Sequence, residues 1–186
     1  MNRNAINKLL EWKNSDDRKP LVLKGARQVG KTWLMKEFGK NYYEDTFYFN
    51  FDEEDELKSI FETNKDPYRI VELLGLIKGK KILPKKHLII FDEVQECSSA
   101  LNCLKYFCEK ANEYHIISAG SLLGTLLAQP KSYPVGKVNL INISPMTFAE
   151  FLEATDKGLF SYYNSIQKGV NPGKISTKWI QKRLGW

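Results

Sequence analysis

Histidine and cysteine are scarce in this sequence, which has two histidines and three cysteines among its 186 residues. The cysteines Cys97, Cys103 and Cys108 form no C-x-x-C pair, so a structural zinc site, which needs several closely spaced ligands, is not expected. An odd number of cysteines instead indicates buried thiols in a reducing compartment, and we predict a cytoplasmic protein. His87 and His115 each stand at the start of a predicted strand, and we interpret both as structural.

Long apolar segments are missing as well. The longest uncharged run, residues 114–130, contains several polar residues and two glycines, and it is too short to span a membrane. Residues 1–17 are polar and charged, unlike a signal peptide, so we predict no membrane association. A hydrophobic content of 42% and a charged content of 27% are typical of a globular domain with a core.

Acidic residues are absent after Asp156. Residues 1–156 carry equal numbers of acidic and basic side chains, so the net charge of +6 belongs to residues 157–186. This change in composition predicts a folded domain over residues 1–156 and a basic C-terminal tail over residues 157–186. Glycines and a proline interrupt the tail and its helical periodicity is weak, so we expect it to be loosely packed, with at most a short helix near Thr177–Leu184.

A phosphate-binding pattern is the main feature that the sequence does contain. Residues 25–32 fit G-x-x-x-x-G-K-[ST] at every fixed position, between an apolar run that predicts a strand and an amphipathic segment that predicts a helix. The amide groups at the start of such a helix bind polyphosphates. We expect Lys31 to reach the β- and γ-phosphates and Thr32 to ligate Mg²⁺. The predicted cofactor-binding residues are Gly25, Ala26, Arg27, Gln28, Val29, Gly30, Lys31 and Thr32.

Two acids follow a second apolar run. Residues 87–91 are continuously apolar after His87, as in a parallel strand buried on both faces, and Asp92 and Glu93 come directly after them. The carboxyl end of such a strand lies at the crevice where parallel sheets bind ligands. We therefore expect Asp92 to hold Mg²⁺ through water and Glu93 to act as the general base on the attacking water.

Ser121 closes another predicted strand, residues 114–121. Its hydroxyl is a candidate sensor of the γ-phosphate, and it could equally cap a predicted helix over Leu122–Leu127. Other patterns predict a helix over residues 3–13, a strand over residues 46–51, a helix from Pro67, a strand over residues 138–143, and a helix from Phe148 to Ala154 with Thr147 and Glu150 as its capping box.

Five lysines lie within residues 78–86. Such a cluster can contact nucleic acid. No aromatic residues are interleaved with the lysines, which favours a solvated loop, and we leave nucleic-acid binding open.

Five segments occur in this order: GARQVGKT, LIIFDEVQ, SAGSLLG, SYPVGKV and ISPMTFAEFL. In content and order they resemble a group of prokaryotic AAA+-type ATPases over about residues 1–156. The resemblance implies a P-loop NTPase core with Walker A and Walker B motifs, in which Lys31 and Thr32 serve the phosphates and Mg²⁺, Asp92 serves Mg²⁺, and Glu93 is the hydrolytic acid. Members of the group usually carry a further C-terminal domain, so the tail here is expected to be a remnant or an unrelated segment.

The sequence departs from this group in its catalytic cations. AAA+ proteins commonly use an arginine finger, and no arginine occurs between Arg69 and Arg183. Lys137 is the nearest available cation and enters as a catalytic candidate, although lysine lacks the planar fork of arginine. Ser121 stands where many AAA+ proteins have asparagine.

Together these observations predict a three-layer α/β fold with a mostly parallel five-stranded sheet. The resemblance further predicts an AAA+-like strand order, with the Ser121 strand between the phosphate-loop strand and the Asp92 strand. The expected function is Mg²⁺-dependent ATP binding and slow hydrolysis to ADP and phosphate. The alternative is a nucleotide-binding switch or interaction module that hydrolyses little. ATP and ADP are the expected ligands, and an unknown protein partner and a homo-oligomer both stay open.

Overall fold

Five parallel strands carry the site. The computed structural model describes residues 4–121 and 136–167, and the chain divides between Pro145 and Met146 into two compact units. Elements of the first unit are α1 Ala5–Asn14, β1 Leu21–Lys24, α2 Lys31–Tyr42, β2 Asp45–Asn50, α3 Asp55–Thr63, α4 Pro67–Ile77, β3 His87–Asp92, a 3₁₀ turn Val94–Glu96, α5 Ser98–Lys110, β4 His115–Ala119 and β5 Asn139–Asn142.

The strand order is β2-β3-β4-β1-β5, and every neighbouring pair is parallel. The strand before Ser121, β4, therefore lies between β1 and β3, as predicted. Because the strands are parallel, their carboxyl ends meet at one edge of the sheet, and the phosphate loop and the Asp92–Glu93 pair lie at that edge.

Helices cover both faces of the sheet. All six residues of β3 are buried, and its four apolar residues alternate between two apolar clusters. Leu88 and Ile90 pack with residues of α1 and α2, whereas Ile89 and Phe91 pack with residues of α3, α4 and α5. The predicted three-layer fold is confirmed. No helix in the described parts of the chain is long and apolar enough to cross a membrane.

Both histidines have structural contacts. His87 stacks on Phe47, and its Nδ1 accepts a hydrogen bond from the Leu83 amide at 3.0 Å. His115 is buried at the amino edge of the sheet, where its Nδ1 lies 2.7 Å from the Tyr43 hydroxyl and its ring meets Trp12 edge-on. Neither imidazole is near the phosphate loop.

The fold should become less stable in acid, because His115 is protonated in the unfolded chain but stays neutral in the folded one. Burial, with a smaller contribution from the Arg18, Lys13 and Lys85 cations, lowers the pKa of His115 to about 3. Below about pH 6.5 the unfolded chain takes up a proton that the folded chain does not, so stability falls by up to about 1.4 kcal/mol per pH unit. We expect His115→Asn to remove this contribution. In denaturant unfolding, the variant should lose less stability than the parent between about pH 6 and pH 4.5; equal losses would contradict the assignment.

Lysines of the loop after α4 pair with acids of this chain. Lys78 lies 3.4 Å from Glu54, Lys80 pairs with Asp45, and Lys86 lies 3.0 Å from Glu44. These exposed pairs agree with the interpretation of residues 78–86 as a solvated loop.

The second unit contains α6, Phe148–Thr155, and α7, Lys157–Gln167. The predicted capping box of α6 is present, since the Thr147 side chain accepts from the Glu150 amide and Glu150 bonds back to the Thr147 amide. The boundary predicted from charge, after Asp156, falls between α6 and α7 within this unit.

The expectation of weak helicity after Asp156 is wrong for residues 157–167. The Asp156 carboxylate accepts hydrogen bonds from the Gly158 and Leu159 amides and so caps α7, and Gly158 lies in the first turn, where a glycine is tolerated. Ring contact of Phe148 with Tyr163 joins α7 to α6. The predicted helices Leu122–Leu127 and Thr177–Leu184 lie outside the described residues.

Candidate active site

The phosphate loop connects the carboxyl end of β1 to the amino end of α2. Gly30 has φ +86° and Gln28 has φ +61°, so two left-handed residues within three positions turn the chain sharply into the helix. At the base of the loop, a Cβ on Gly25 would lie 2.3 Å from the Ile143 carbonyl oxygen. A residue without a side chain is therefore required where the loop meets the end of β5. The result is a fixed cradle of amides at a helix N-terminus.

Lys31 lies folded over this loop. Its Nζ donates to the carbonyl oxygens of Gly25 at 2.9 Å and Ala26 at 2.7 Å, and the residue is only 7% exposed. Burial lowers the pKa of Lys31 below its usual value, and the nearby Glu93 and Asp92 carboxylates offset this only in part. The ammonium group is thus already held among the loop atoms, next to both acids.

Asp92 receives hydrogen bonds from three different segments. Its Oδ2 accepts from the Thr32 hydroxyl at 2.6 Å and from the Tyr48 hydroxyl at 3.0 Å, and its Oδ1 lies 3.1 Å from the Glu93 amide. Asp92 is 3% exposed. Burial, and then the Asp92 carboxylate itself, raise the pKa of Tyr48, so the phenol remains a donor. The carboxylate is therefore buried among neutral donors, with Lys31 nearby but bonded elsewhere.

Glu93 has a left-handed backbone, with φ +48°, which is uncommon for a residue with a side chain. Its Oε2 accepts a hydrogen bond from Gln95 Nε2 at 2.6 Å. Backbone strain of this kind persists where surrounding structure holds it, often at functional sites.

Part of the phosphate loop and Glu93 border a pocket of about 450 Å³ at the carboxyl ends of the strands. It is lined by Arg27, Gln28, Gly30, Lys31, Thr32, Trp33, Glu93 and Ser121. The Ser121 Oγ is buried and has no hydrogen-bond partner among the described residues, so a polar ligand would satisfy it. A larger pocket of about 710 Å³ lies against α4, but its lining is mainly apolar and contains none of the predicted site residues.

Lys137 does not join the site, and its assignment as a catalytic cation of this pocket is corrected. It precedes the first residue of β5, whereas Gly25 meets Ile143, just after the last one. The four residues of β5 alone span roughly 13 Å of extended chain. Lys137 Nζ instead pairs with Glu109 Oε1 at 2.9 Å near the end of α5. Lys137 lies away from the pocket because it precedes a strand, and the starts of parallel strands lie at the edge opposite the phosphate loop.

Two residues of the site have roles that the sequence analysis missed. Arg27 is not one of them, since it was predicted as a cofactor-binding residue and lines the pocket. The missed residues are Tyr48, which donates a hydrogen bond to Asp92, and Gln95, which donates one to Glu93. Alternation in residues 46–51 predicted the strand that carries Tyr48, but no pattern indicates which strand is its neighbour.

The chain matches a protein-family model described as AAA domain over residues 17–152. That range covers most of the chain and includes every residue of the pocket. The chain belongs to the AAA domain family. Comparison with curated proteins gives no match.

A solved structure has the same fold as this AAA domain. The Walker-type ATPase PABY2304 of Pyrococcus abyssi is 18% identical, with a TM-score of 0.57, over 91% of this chain and 62% of that chain. The ORC1 protein of Aeropyrum pernix, in complex with DNA, is 14% identical (TM-score 0.48, 82% and 47% covered). PCH-2 of C. elegans is 13% identical (TM-score 0.46, 96% and 52% covered). The chain spans less than two thirds of the length of each, and the likeness to the Pyrococcus abyssi protein, at 18% identity, shows the fold alone.

The donors of the AAA domain pocket fit a magnesium nucleotide. The loop offers amides and an ammonium group to phosphates, and the Thr32 hydroxyl with the buried Asp92 carboxylate offers hard oxygen ligands. No group of three or more His, Cys, Asp or Glu residues suited to a metal occurs within residues 4–121 and 136–167. Mg²⁺ in such sites uses one or two protein oxygens together with phosphates and water, so a larger cluster is not needed.

Proposed function

We propose that this AAA domain binds ATP with Mg²⁺ and hydrolyses it to ADP and phosphate. The observation that carries the proposal is the 2.6 Å hydrogen bond between Thr32 of the phosphate loop and Asp92 of β3, beside a pocket that Glu93 and Ser121 also line. Two motifs separated by sixty residues in sequence thus form one polar site at the edge of the sheet where parallel α/β folds bind ligands.

Binding depends on the loop and Lys31. The loop amides and the helix N-terminus favour the negative charge of the phosphates. Lys31 would exchange its bonds to the Gly25 and Ala26 carbonyls for bonds to phosphate oxygens, which are charged and therefore stronger acceptors. Thr32 and Asp92 would hold Mg²⁺, which when bound neutralises charge on the phosphates.

Hydrolysis depends on Glu93. A water oxygen attacks the γ-phosphorus, the bond from that phosphorus to the bridging oxygen breaks, and the water proton passes to the Glu93 carboxylate. Ser121 would contact the γ-phosphate, and its buried hydroxyl, which has no hydrogen-bond partner among the described residues, supports this role. Arg27 adds positive charge to the pocket rim.

A specific contact favours a second candidate, a nucleotide-binding switch with little turnover. Gln95 Nε2 engages Glu93 at 2.6 Å, and a base that accepts this bond is held away from a water molecule. A protein partner or another copy of the chain would be one means of releasing it.

We place the protein in the cytoplasm, because Cys97 and Cys103 are buried free thiols.

Two measurements on one sample separate the two candidates. Trp33 lines the pocket, so its fluorescence should report ATP binding. Steady-state phosphate release then reports turnover. We expect saturable Mg²⁺-dependent ATP binding and slow release, below ~1 s⁻¹, near the low end of enzyme rates. Binding without measurable release would support the switch, and absence of binding would contradict both.

A further inference from the structure

Tyr48 is a residue of the site that neither motif contains. It lies on β2, an edge strand, opposite Ile90 of β3 in the parallel register, and Asn50 is opposite Asp92. The Tyr48 side chain thus starts two residues before the strand end and reaches forward to Asp92 Oδ2 at 3.0 Å. Only a long side chain with a terminal donor can make this contact.

Neighbouring contacts hold the Tyr48 ring in place. Lys36, one turn after Thr32 on α2, has its Nζ 3.7 Å from the centre of the ring, which is a close cation–π distance. Further along α2, Gly39 lets the helix approach β2, because a Cβ there would lie 2.3 Å from the Thr46 hydroxyl oxygen. The ring is therefore fixed between α2 and β2, with its hydroxyl directed at Asp92.

The two donors to Asp92 Oδ2 differ in what else they must do. Thr32 is itself an expected ligand of Mg²⁺, so its hydroxyl serves both the metal and the carboxylate. The Tyr48 hydroxyl has no other hydrogen-bond partner within the described residues. It is the donor that can hold the carboxylate while Thr32 adjusts to the metal.

We propose that Tyr48 is a positioning residue for the metal: its hydroxyl fixes the orientation of Asp92 and thereby sets the affinity for Mg²⁺, while leaving the affinity for the nucleotide alone unchanged. The inference rests on the proposed function, because it assumes that Asp92 serves Mg²⁺. Residues that orient a metal ligand commonly change metal affinity by 10- to 100-fold when they are mutated.

Tyr48→Phe tests this, since it removes the hydroxyl and keeps the ring under Lys36. The full chain is titrated with ADP in EDTA, and then with Mg²⁺ at fixed ADP, with Trp33 fluorescence as the readout. We expect the Mg²⁺ concentration at half-saturation to rise about 10-fold. Affinity for ADP in EDTA should stay within about twofold of the parent, as a residue that acts only on the metal requires.

Tyr43→Phe is the matched control. It also removes a tyrosine hydroxyl from a partly buried hydrogen bond, the one to His115 at the opposite edge of the sheet, and it should change neither titration. The proposal is overturned if the Tyr48→Phe Mg²⁺ curve superimposes on that of the parent, if ADP affinity in EDTA falls equally, or if the variant does not fold. If the parent protein itself gains no affinity from Mg²⁺, it is the proposed function that fails.

Discussion

Lys31→Ala is expected to weaken ATP binding strongly. The Lys31 ammonium group is held inside the loop, with its Nζ 2.7 Å from the Ala26 carbonyl oxygen. Without it, the loop amides alone cannot offset the charge of the β- and γ-phosphates. Removing one member of a buried, charged hydrogen-bonded pair costs about 2–5 kcal/mol. At 1.4 kcal/mol per factor of ten, the affinity should fall at least roughly 30-fold.

The measurement is a calorimetric titration of Mg²⁺-ATP into the variant and into Lys137→Ala. Lys137 is a lysine of the same unit that pairs with Glu109 at the other edge of the sheet, so its removal changes the net charge equally without touching the pocket. We expect parental affinity in this control. Unchanged affinity in Lys31→Ala would mean that residues 25–32 do not bind the nucleotide.

Glu93→Gln is expected to retain ATP and lose turnover. Glutamine has nearly the same shape, so the left-handed backbone and the contact with Gln95 can persist, while the basic carboxylate is lost. Loss of a general base lowers rates by ~10²-fold or more. Binding should change little, because Lys31 and the loop amides are untouched.

Single-turnover phosphate release with bound ATP separates chemistry from binding in this variant. Glu96→Gln serves as the control, since Glu96 ends the same 3₁₀ turn but is exposed and does not line the pocket. It should keep the parental rate. If Glu93→Gln matches that rate, the attacking water is activated by another group.

The residues of the two motifs could be predicted because their geometry is local. Gly25 to Thr32 follow one strand directly, and Asp92 and Glu93 end another, so strand ends alone place them at one edge of a parallel sheet. The order of the strands is not a local property. Apolar patterns indicated five strands, but the position of β4 between β1 and β3 came from the resemblance to AAA+ ATPases, and it is confirmed.

Contacts between neighbouring strands could not be predicted. Tyr48 reaches Asp92 only because β2 pairs with β3 in a register that sets Tyr48 opposite Ile90. The bond from Gln95 to Glu93 could not be predicted either, because no residue pattern indicates the left-handed conformation at Glu93.

Two errors had reasons that were readable from the sequence. Lys137 precedes its strand, and starts of parallel strands lie opposite the phosphate loop, so its position already excluded it from the pocket. In the tail, Gly158 lowered the apparent helicity, but a glycine in a first turn capped by Asp156 is compatible with a helix. Leu159, Tyr163 and Ile166 supply the helical spacing there.

A crystal structure of the chain with Mg²⁺ and a non-hydrolysable ATP analogue measures most directly whether residues 25–32 hold the phosphates. We expect the phosphates against the loop amides with Lys31 Nζ turned to them, the metal about 2.1 Å from the Thr32 hydroxyl oxygen, and Ser121 facing the γ-phosphate. A nucleotide bound elsewhere, for example in the apolar pocket against α4, or a metal away from Thr32 and Asp92, would contradict the assignment of the site.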